Sequence, residues 1–190
     1  MNWDLTYHFQ SLDEFEKAYQ TTLSIIDELG TYKGKLHDED SFVQYYLTQK
    51  KMQEIGLRVF QYANLQSDLN KKNQPNAARQ QKVQLAFSKL SQKIAFEEPE
   101  LIALGKEKVF EFVSKHEELA EYRFGFEKLF LRQEHILDYK SESLLANFTQ
   151  LRSIGRDLYS SLTVADIVHW DVFFDNVEIV TITNSNYQAF

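Results

Sequence analysis

From Ser11 to about Leu162, apolar residues return at steps of three and four, and only two prolines, Pro75 and Pro99, interrupt the run. That spacing puts the apolar side chains on one face of an α-helix, turn after turn. With 6 glycines and 2 prolines in 190 residues, the chain lacks the breakers that an all-β sandwich or barrel needs at its many turns. The expected fold is mainly α, an antiparallel helical bundle or array. A chain of this length, 43% hydrophobic and 14% aromatic, has enough apolar surface to build a large core.

Individual helices can be placed. Ser11 followed by Glu14 is a capping box, in which the hydroxyl takes one free backbone N–H and the carboxylate reaches back for another. Leu12, Phe15, Tyr19, Leu23 and Ile26 then share a face until Gly30 and Gly34. A second, long helix is expected from a cap at about Asp40 through Met52, Ile55, Val59, Tyr62 and Leu69. Pro75 breaks the chain and opens a third helix carrying Val83, Phe87, Leu90 and Ile94. Glu98-Pro99-Glu100 starts a short turn, Leu101 to Leu104, which Gly105 is expected to close in the left-handed conformation. Val109, Phe112 and Val113 form one further stripe, and Leu119, Tyr122, Phe126 and Leu129 the next. A last helical run, Leu144, Phe148, Leu151, Gly155, Leu158 and Leu162, is a candidate core face. The stripes outnumber what one small bundle buries, so an uncovered apolar face is also expected.

After Asp166 the pattern changes to alternation, with Val177, Ile179 and Thr181 on one side and Val180 and Ile182 on the other, as in a strand. Asp175-Asn176 is placed as a hairpin turn. The expected organisation is therefore a helical domain over 1–165 and a small C-terminal β-hairpin over 166–190.

The chain has no cysteine, which removes disulfides and thiolate metal sites and favours a cytoplasmic location. Its N-terminus shows neither the basic nor the apolar part of a signal peptide, and no run approaches the ~20 apolar residues of a membrane span. A net charge of −7 opposes the counterion release that drives nucleic-acid binding. Neither a membrane nor a nucleic acid is an expected partner.

Catalytic patterns fail one by one. A zincin needs two His a helical turn apart with Glu beside the first; His116-Glu117-Glu118-Leu119-Ala120 starts correctly but has Ala120 in place of the second His. The inverted pattern fails at Leu131, four residues before His135. A di-iron bundle needs Glu-x-x-His twice, and the nearest approach is a single Asp166 before His169. Nucleophile elbows and phosphate loops are absent from the sequence. Glu97, Glu98 and Glu100 fit a charged helix start.

The fragments do carry a resemblance. Trp3-Asp4-Leu5 before the capped helix at Ser11, Tyr32-Lys33-Gly34-Lys35-Leu36, and Glu98-Pro99-Glu100-Leu101 stand in the order seen in oligoendopeptidase F, within the thimet-oligopeptidase-like zinc peptidases. Arg132, His135 and Leu137 match an Arg-x-x-x-His-x-Leu pattern, and Tyr159 to Asp166 a Tyr-x-x-Leu-x-x-Ala-Asp stretch, ahead of Asn186-Tyr187.

The resemblance implies the N-terminal domain of a zinc metalloendopeptidase acting on oligopeptides. Zinc would belong to the parent enzyme, bound by a downstream His-Glu-x-x-His segment that these residues lack. The implied partners are the downstream catalytic domain of the same polypeptide and the short peptides of the parent. No catalytic or metal residue is assigned, and substrate-binding residues stay unknown, with Arg132 and His135 matching the pattern but given no role. Self-association of the fragment is expected through its uncovered face. Two other readings stand beside it: a free-standing helical module that binds a peptide or another protein, and a helical enzyme whose site shows no recognised motif.

Overall fold

The computed structural model describes residues 4–133, 137, 139–163, 171–173 and 179–181. The described chain is mainly helical. In order it forms α1 (Leu12–Gly30), α2 (Glu39–Lys51), a π turn (Met52–Gly56), α3 (Leu57–Leu69), α4 (Gln74–Lys93), α5 (Glu97–Leu104) and α6 (Lys106–Lys115). A 3-10 turn (Glu117–Tyr122), α7 (Arg123–Leu131), α8 (Tyr139–Asn147) and α9 (Thr149–Ser161) come next. The chain divides into two compact units, Met1–Ser153 and Ile154–Phe190.

In the first unit the helix ends are set by short polar side chains. Ser11 Oγ accepts the Glu14 N–H at 3.2 Å, and Glu14 returns its carboxylate to the N–H of Gln10 at 2.8 Å, one residue earlier than in the simple capping box. The second helix starts earlier than the sequence suggests, because Asp38, not Asp40, takes the capping bond, from Ser41 N–H at 2.9 Å. Asn73 caps α4 through the N–H of Asn76, with Pro75 in the first turn where its missing N–H costs nothing. Gly105 has φ +89° and ψ 149°. This is an extended conformation of the opposite hand and not the left-handed helical cap expected, yet it too is open in practice only to glycine.

α2, the π turn and α3 make one continuous rod from Glu39 to Leu69. A π turn holds one more residue than an α turn, so it rotates the helix beyond it by roughly 100° relative to an unbroken α-helix. Before it, Phe42, Tyr45 and Tyr46 are buried; after it, Val59, Tyr62 and Ala63 are. Gly56 sits against Met52 and Phe87. A Cβ there would lie 2.6 Å from Met52 Cε, and glycine is what lets Met52 fold back into the core.

α1, the rod and α4 pack side by side, running up, down and up. Phe15 meets Tyr62 and Glu28 meets Thr48, so α1 and the rod are antiparallel. Phe60 against Phe87 and Asn64 against Gln80 make α3 and α4 antiparallel as well. α1 and α4 are then parallel, and the ion pairs Glu16–Lys82 and Asp27–Lys93 span them. α6, the 3-10 turn and α7 close a second aromatic cluster, in which Phe42 touches Tyr46, Phe112 and Phe126.

Three further expectations change. Leu12 is exposed, so the buried face of α1 runs instead through Phe15, Tyr19, Thr22, Ile25, Ile26 and Leu29. Leu119 and Tyr122 lie in the 3-10 turn and not on one helix with Phe126 and Leu129. The run from Leu144 onward is two helices, with Phe148 N–H bonded to Leu145 O and Leu151 N–H to Phe148 O at the joint. Its apolar side chains are not core: Leu144, Leu145, Phe148 and Leu151 in the first unit are exposed, as are Ile154, Leu158 and Leu162 in the second. In the first unit, uncovered apolar side chains therefore fall here.

In the second unit β1 (Asp171–Phe173) pairs antiparallel with β2 (Ile179–Thr181), with Val172 opposite Val180. The expected turn at Asp175-Asn176, together with Asp166, Val177 and Ile182, lies outside the described residues.

These exposures fix opposite outcomes for two chemically identical substitutions. Leu29 is 0% exposed and Leu151 58% exposed. In urea unfolding of the chain, Leu29→Ala is expected to cost ~2–5 kcal/mol and Leu151→Ala less than about 0.5 kcal/mol. Equal losses would contradict a buried α1 face and a solvent-facing α9.

Candidate functional site

The first turn of α5 gathers three acids that the sequence places together, and the fold sends each to a different element. Glu97 turns into the protein and meets α2. Tyr45 Oη donates to one carboxylate oxygen at 2.7 Å and Tyr46 Oη to the other at 2.9 Å, while Gln49 Nε2 donates at 3.2 Å. Gln49 also donates to Tyr45 Oη at 2.9 Å, so the three donors are linked. Tyr122 closes the far side, its hydroxyl donating to Tyr46 O at 3.0 Å and its ring tilted on Tyr46.

No ammonium or guanidinium pairs with Glu97 among the described residues. Burial pushes its carboxyl above the ordinary value, against the downward pull of the phenols. Burial and the neighbouring Glu97 charge push Tyr45 and Tyr46 upward in turn, and burial raises Tyr122 to about 12. All three phenols stay protonated at neutral pH; Tyr45 and Tyr46 donate to the Glu97 carboxyl, and Tyr45 also accepts from Gln49.

Glu98 pairs with Arg132 at the end of α7. Glu100 accepts the N–H of Gly34 at 2.6 Å, in the loop before α2. Gly34 has φ +78°, a left-handed conformation that glycine adopts without strain. The start of α5 is thus a junction between the α1–α2 loop, α2 and α7.

Of the residues that the sequence singles out, Arg132 is here in its pair with Glu98, and His135 lies outside the described residues. His116 does not begin a metal-binding helix. It ends α6 and leads into the 3-10 turn, and its Nε2 lies 2.9 Å from Glu39 Oε1. Lys115 contacts the other oxygen of Glu39, and first Lys115 and then His116 hold that carboxyl below its usual value. His169, Asp166 and Glu134 lie outside the described residues. Among the described residues, no three His, Asp or Glu side chains gather closely enough to hold a metal ion.

Sequence reasoning does not find the Glu97 cage. Its donors are about fifty residues from the acceptor, and nothing in Phe96-Glu97-Glu98 distinguishes the inward acid from its outward neighbour. The chief local sign is Tyr45-Tyr46 followed by Gln49, three polar tips on a buried stretch of helix that must find partners.

Known proteins give this fold and this sequence a context. Residues 100–168 match the family model described as Oligopeptidase F. Along 99% of its length the chain is 27% identical to Oligopeptidase PepF of Bacillus subtilis, of which it spans 28%. It is 27% identical over 100% of its length to the plasmid Oligoendopeptidase F of Lactococcus lactis subsp. cremoris, of which it spans 32%. The crystal structure of oligoendopeptidase-F from Enterococcus faecium shares the fold over 93% of this chain and 34% of that one, with a TM-score of 0.80 at 23% identity. The chain therefore spans about a third of the length of the relatives it matches. From its capped first helix through the junction at α5 and beyond, this chain matches the N-terminal region of oligoendopeptidase F homologues.

Proposed function

We propose that the chain serves as the non-catalytic N-terminal domain of a zinc-dependent oligoendopeptidase, a cytoplasmic enzyme that hydrolyses short peptides, and that its helices help to wall the substrate chamber. The observation that carries this reading is the end-to-end match at 99% of this chain against only 28% of the relative's length. The part of such a protein beyond the match has room for the metal and its ligands. The absence of cysteine supports the cytoplasm, and no described helix is long and apolar enough to cross a membrane. Residues 1–165 are the helical domain in this reading, and β1 and β2 are the two arms of a hairpin over 166–190 that begins the connection to the catalytic part.

The exposed apolar side chains near the end of the first unit support a covered face in the complete enzyme. Leu144, Leu145, Phe148 and Leu151 all stand in solvent, and an uncovered apolar patch above ~400 Å² tends to find a partner. Domain interfaces within one chain commonly bury ~600–1,500 Å². The same side chains suit a free-standing module that binds a peptide or another protein, and experiment separates the two.

Two outcomes are expected. The chain alone binds no Zn²⁺ at micromolar concentration in calorimetry and cleaves no quenched fluorescent peptide; a stoichiometric zinc site with peptidase activity would sink the assignment of the chemistry elsewhere. In sedimentation the chain self-associates or binds a separately expressed catalytic part, and the double variant Leu144→Glu, Leu151→Glu weakens that association at least tenfold. A wild-type chain that stays monomeric and ignores the catalytic part removes the interface.

A further inference from the structure

A cleft of about 450 Å³ opens between the segment that precedes α1 and the face of α3, with Asp4, Leu5, Thr6 and Phe9 from the first and Tyr62 and Gln66 from the second in its lining. That volume falls in the range of small-molecule sites, roughly 300–1,000 Å³. A residue of α4 behind the cleft decides what its floor can do. Arg79 has donors only, and its Nη1 lies 2.6 Å from Gln66 Oε1 and 3.0 Å from Asn76 Oδ1. The Gln66 amide must therefore turn its oxygen to Arg79 and its NH₂ to Tyr62, whose Oη accepts at 2.8 Å. Tyr62 is 5% exposed, and its own O–H finds no acceptor among the described residues. A buried donor without a partner is costly, so the floor of the cleft calls for an acceptor. The guanidinium at the head of the chain polarises the amide and then the phenol, which strengthens that O–H as a donor.

The segment before α1 supplies the complement. Asp4 Oδ1 accepts both the N–H and the Oγ1–H of Thr6, at 2.9 and 2.6 Å. These bonds fix the carboxylate and leave Oδ2 without a partner among the described residues. Asp4 is the one charged residue in the lining, and Leu5 and Phe9 are its apolar part.

We propose that this cleft binds a primary ammonium with a carbonyl oxygen beside it, the chemistry of an α-amino amide. The ammonium pairs with Asp4 Oδ2, the carbonyl accepts the Tyr62 O–H, and an apolar side chain lies against Leu5 and Phe9. A ligand without the ammonium leaves the carboxylate to water, and an amine without the carbonyl leaves Tyr62 unanswered. The site stands on these residues alone and does not depend on the chain's walling a substrate chamber.

The test uses the whole 190-residue chain, labelled with ¹⁵N and with ¹³C in the tyrosine rings, and three probes followed by NMR. Leucinamide carries both groups, isopentylamine the ammonium without the carbonyl, and N-acetyl-leucinamide the carbonyl without the ammonium. Leucinamide is expected to bind at roughly millimolar concentration, as suits so small a ligand, with saturable shifts at Tyr62, Thr6 and the Gln66 side-chain amide. It is expected to bind severalfold more tightly than either of the other two. Asp4→Asn, an exchange of similar shape at an exposed position, should remove its advantage over N-acetyl-leucinamide. Tyr62→Phe, which keeps the ring, should remove its advantage over isopentylamine. A lack of saturable shifts means that water alone answers Tyr62, and it overturns the proposal. So does equal binding of the three probes, or a preference that both variants leave in place. If Tyr62→Phe does not fold, Asp4→Asn decides alone, and an unchanged preference for the ammonium overturns the site.

Discussion

One turn in the middle of the longest helical rod decides what the rest of the first unit can do. Up to Lys51 the rod faces α5, α6 and the 3-10 turn with Phe42, Tyr45 and Tyr46 and meets α1 at Thr48; beyond Gly56 it faces α1 and α4 with Val59, Tyr62 and Ala63. A straight α-helix carries one apolar face along its length. The π turn at Met52–Gly56 changes the phase between the two halves, so that a single rod serves two clusters. The absence of a side chain at Gly56 makes room for Met52 at that turn. Both halves of the core therefore share one backbone, and a disturbance at the turn is felt by each.

Much of this architecture is legible in the sequence. The helical period, the cap at Ser11 and the break at Pro75 are local signals, and they place α1 and α4 well. What the sequence does not announce is a change of phase inside a helix, since Met52, Ile55 and Val59 look continuous whether or not a residue is inserted. The same limit explains Leu144 and Leu151. Periodicity says which side chains share a face, but whether anything covers that face depends on elements far away or in another part of the protein.

The junction at α5 is invisible in the sequence for a related reason. Glu97, Glu98 and Glu100 look like a charged helix start, and that reading is right for the backbone. Their side chains go to α2, α7 and the loop at Gly34, each chosen by where α5 begins relative to elements thirty or more residues away. Pro99, between the second and third acids, lies in that first turn, where its missing N–H leaves no helical bond unmade. Three acids in four residues thus act as three separate ties, and the match to the Oligopeptidase F family model begins at the last of them, Glu100.

The two ion pairs between α1 and α4 join residues separated by the same interval in sequence, Glu16 with Lys82 and Asp27 with Lys93. Exposed pairs of this kind contribute little energy, but they mark a register held over about three turns, roughly 16 Å at the rise of an α-helix. Two parallel rods matched over that distance behave like a ruler laid against its copy. Gain or loss of one residue inside either rod swings every later side chain by roughly 100°, and one of the two marks must then miss. A residue gained or lost in the turn at Asn70–Asn73, outside both rods, leaves the marks aligned. Changes of length in descendants of this chain are therefore to be sought in that turn, while inside α1 and α4 evolution is left with substitution alone.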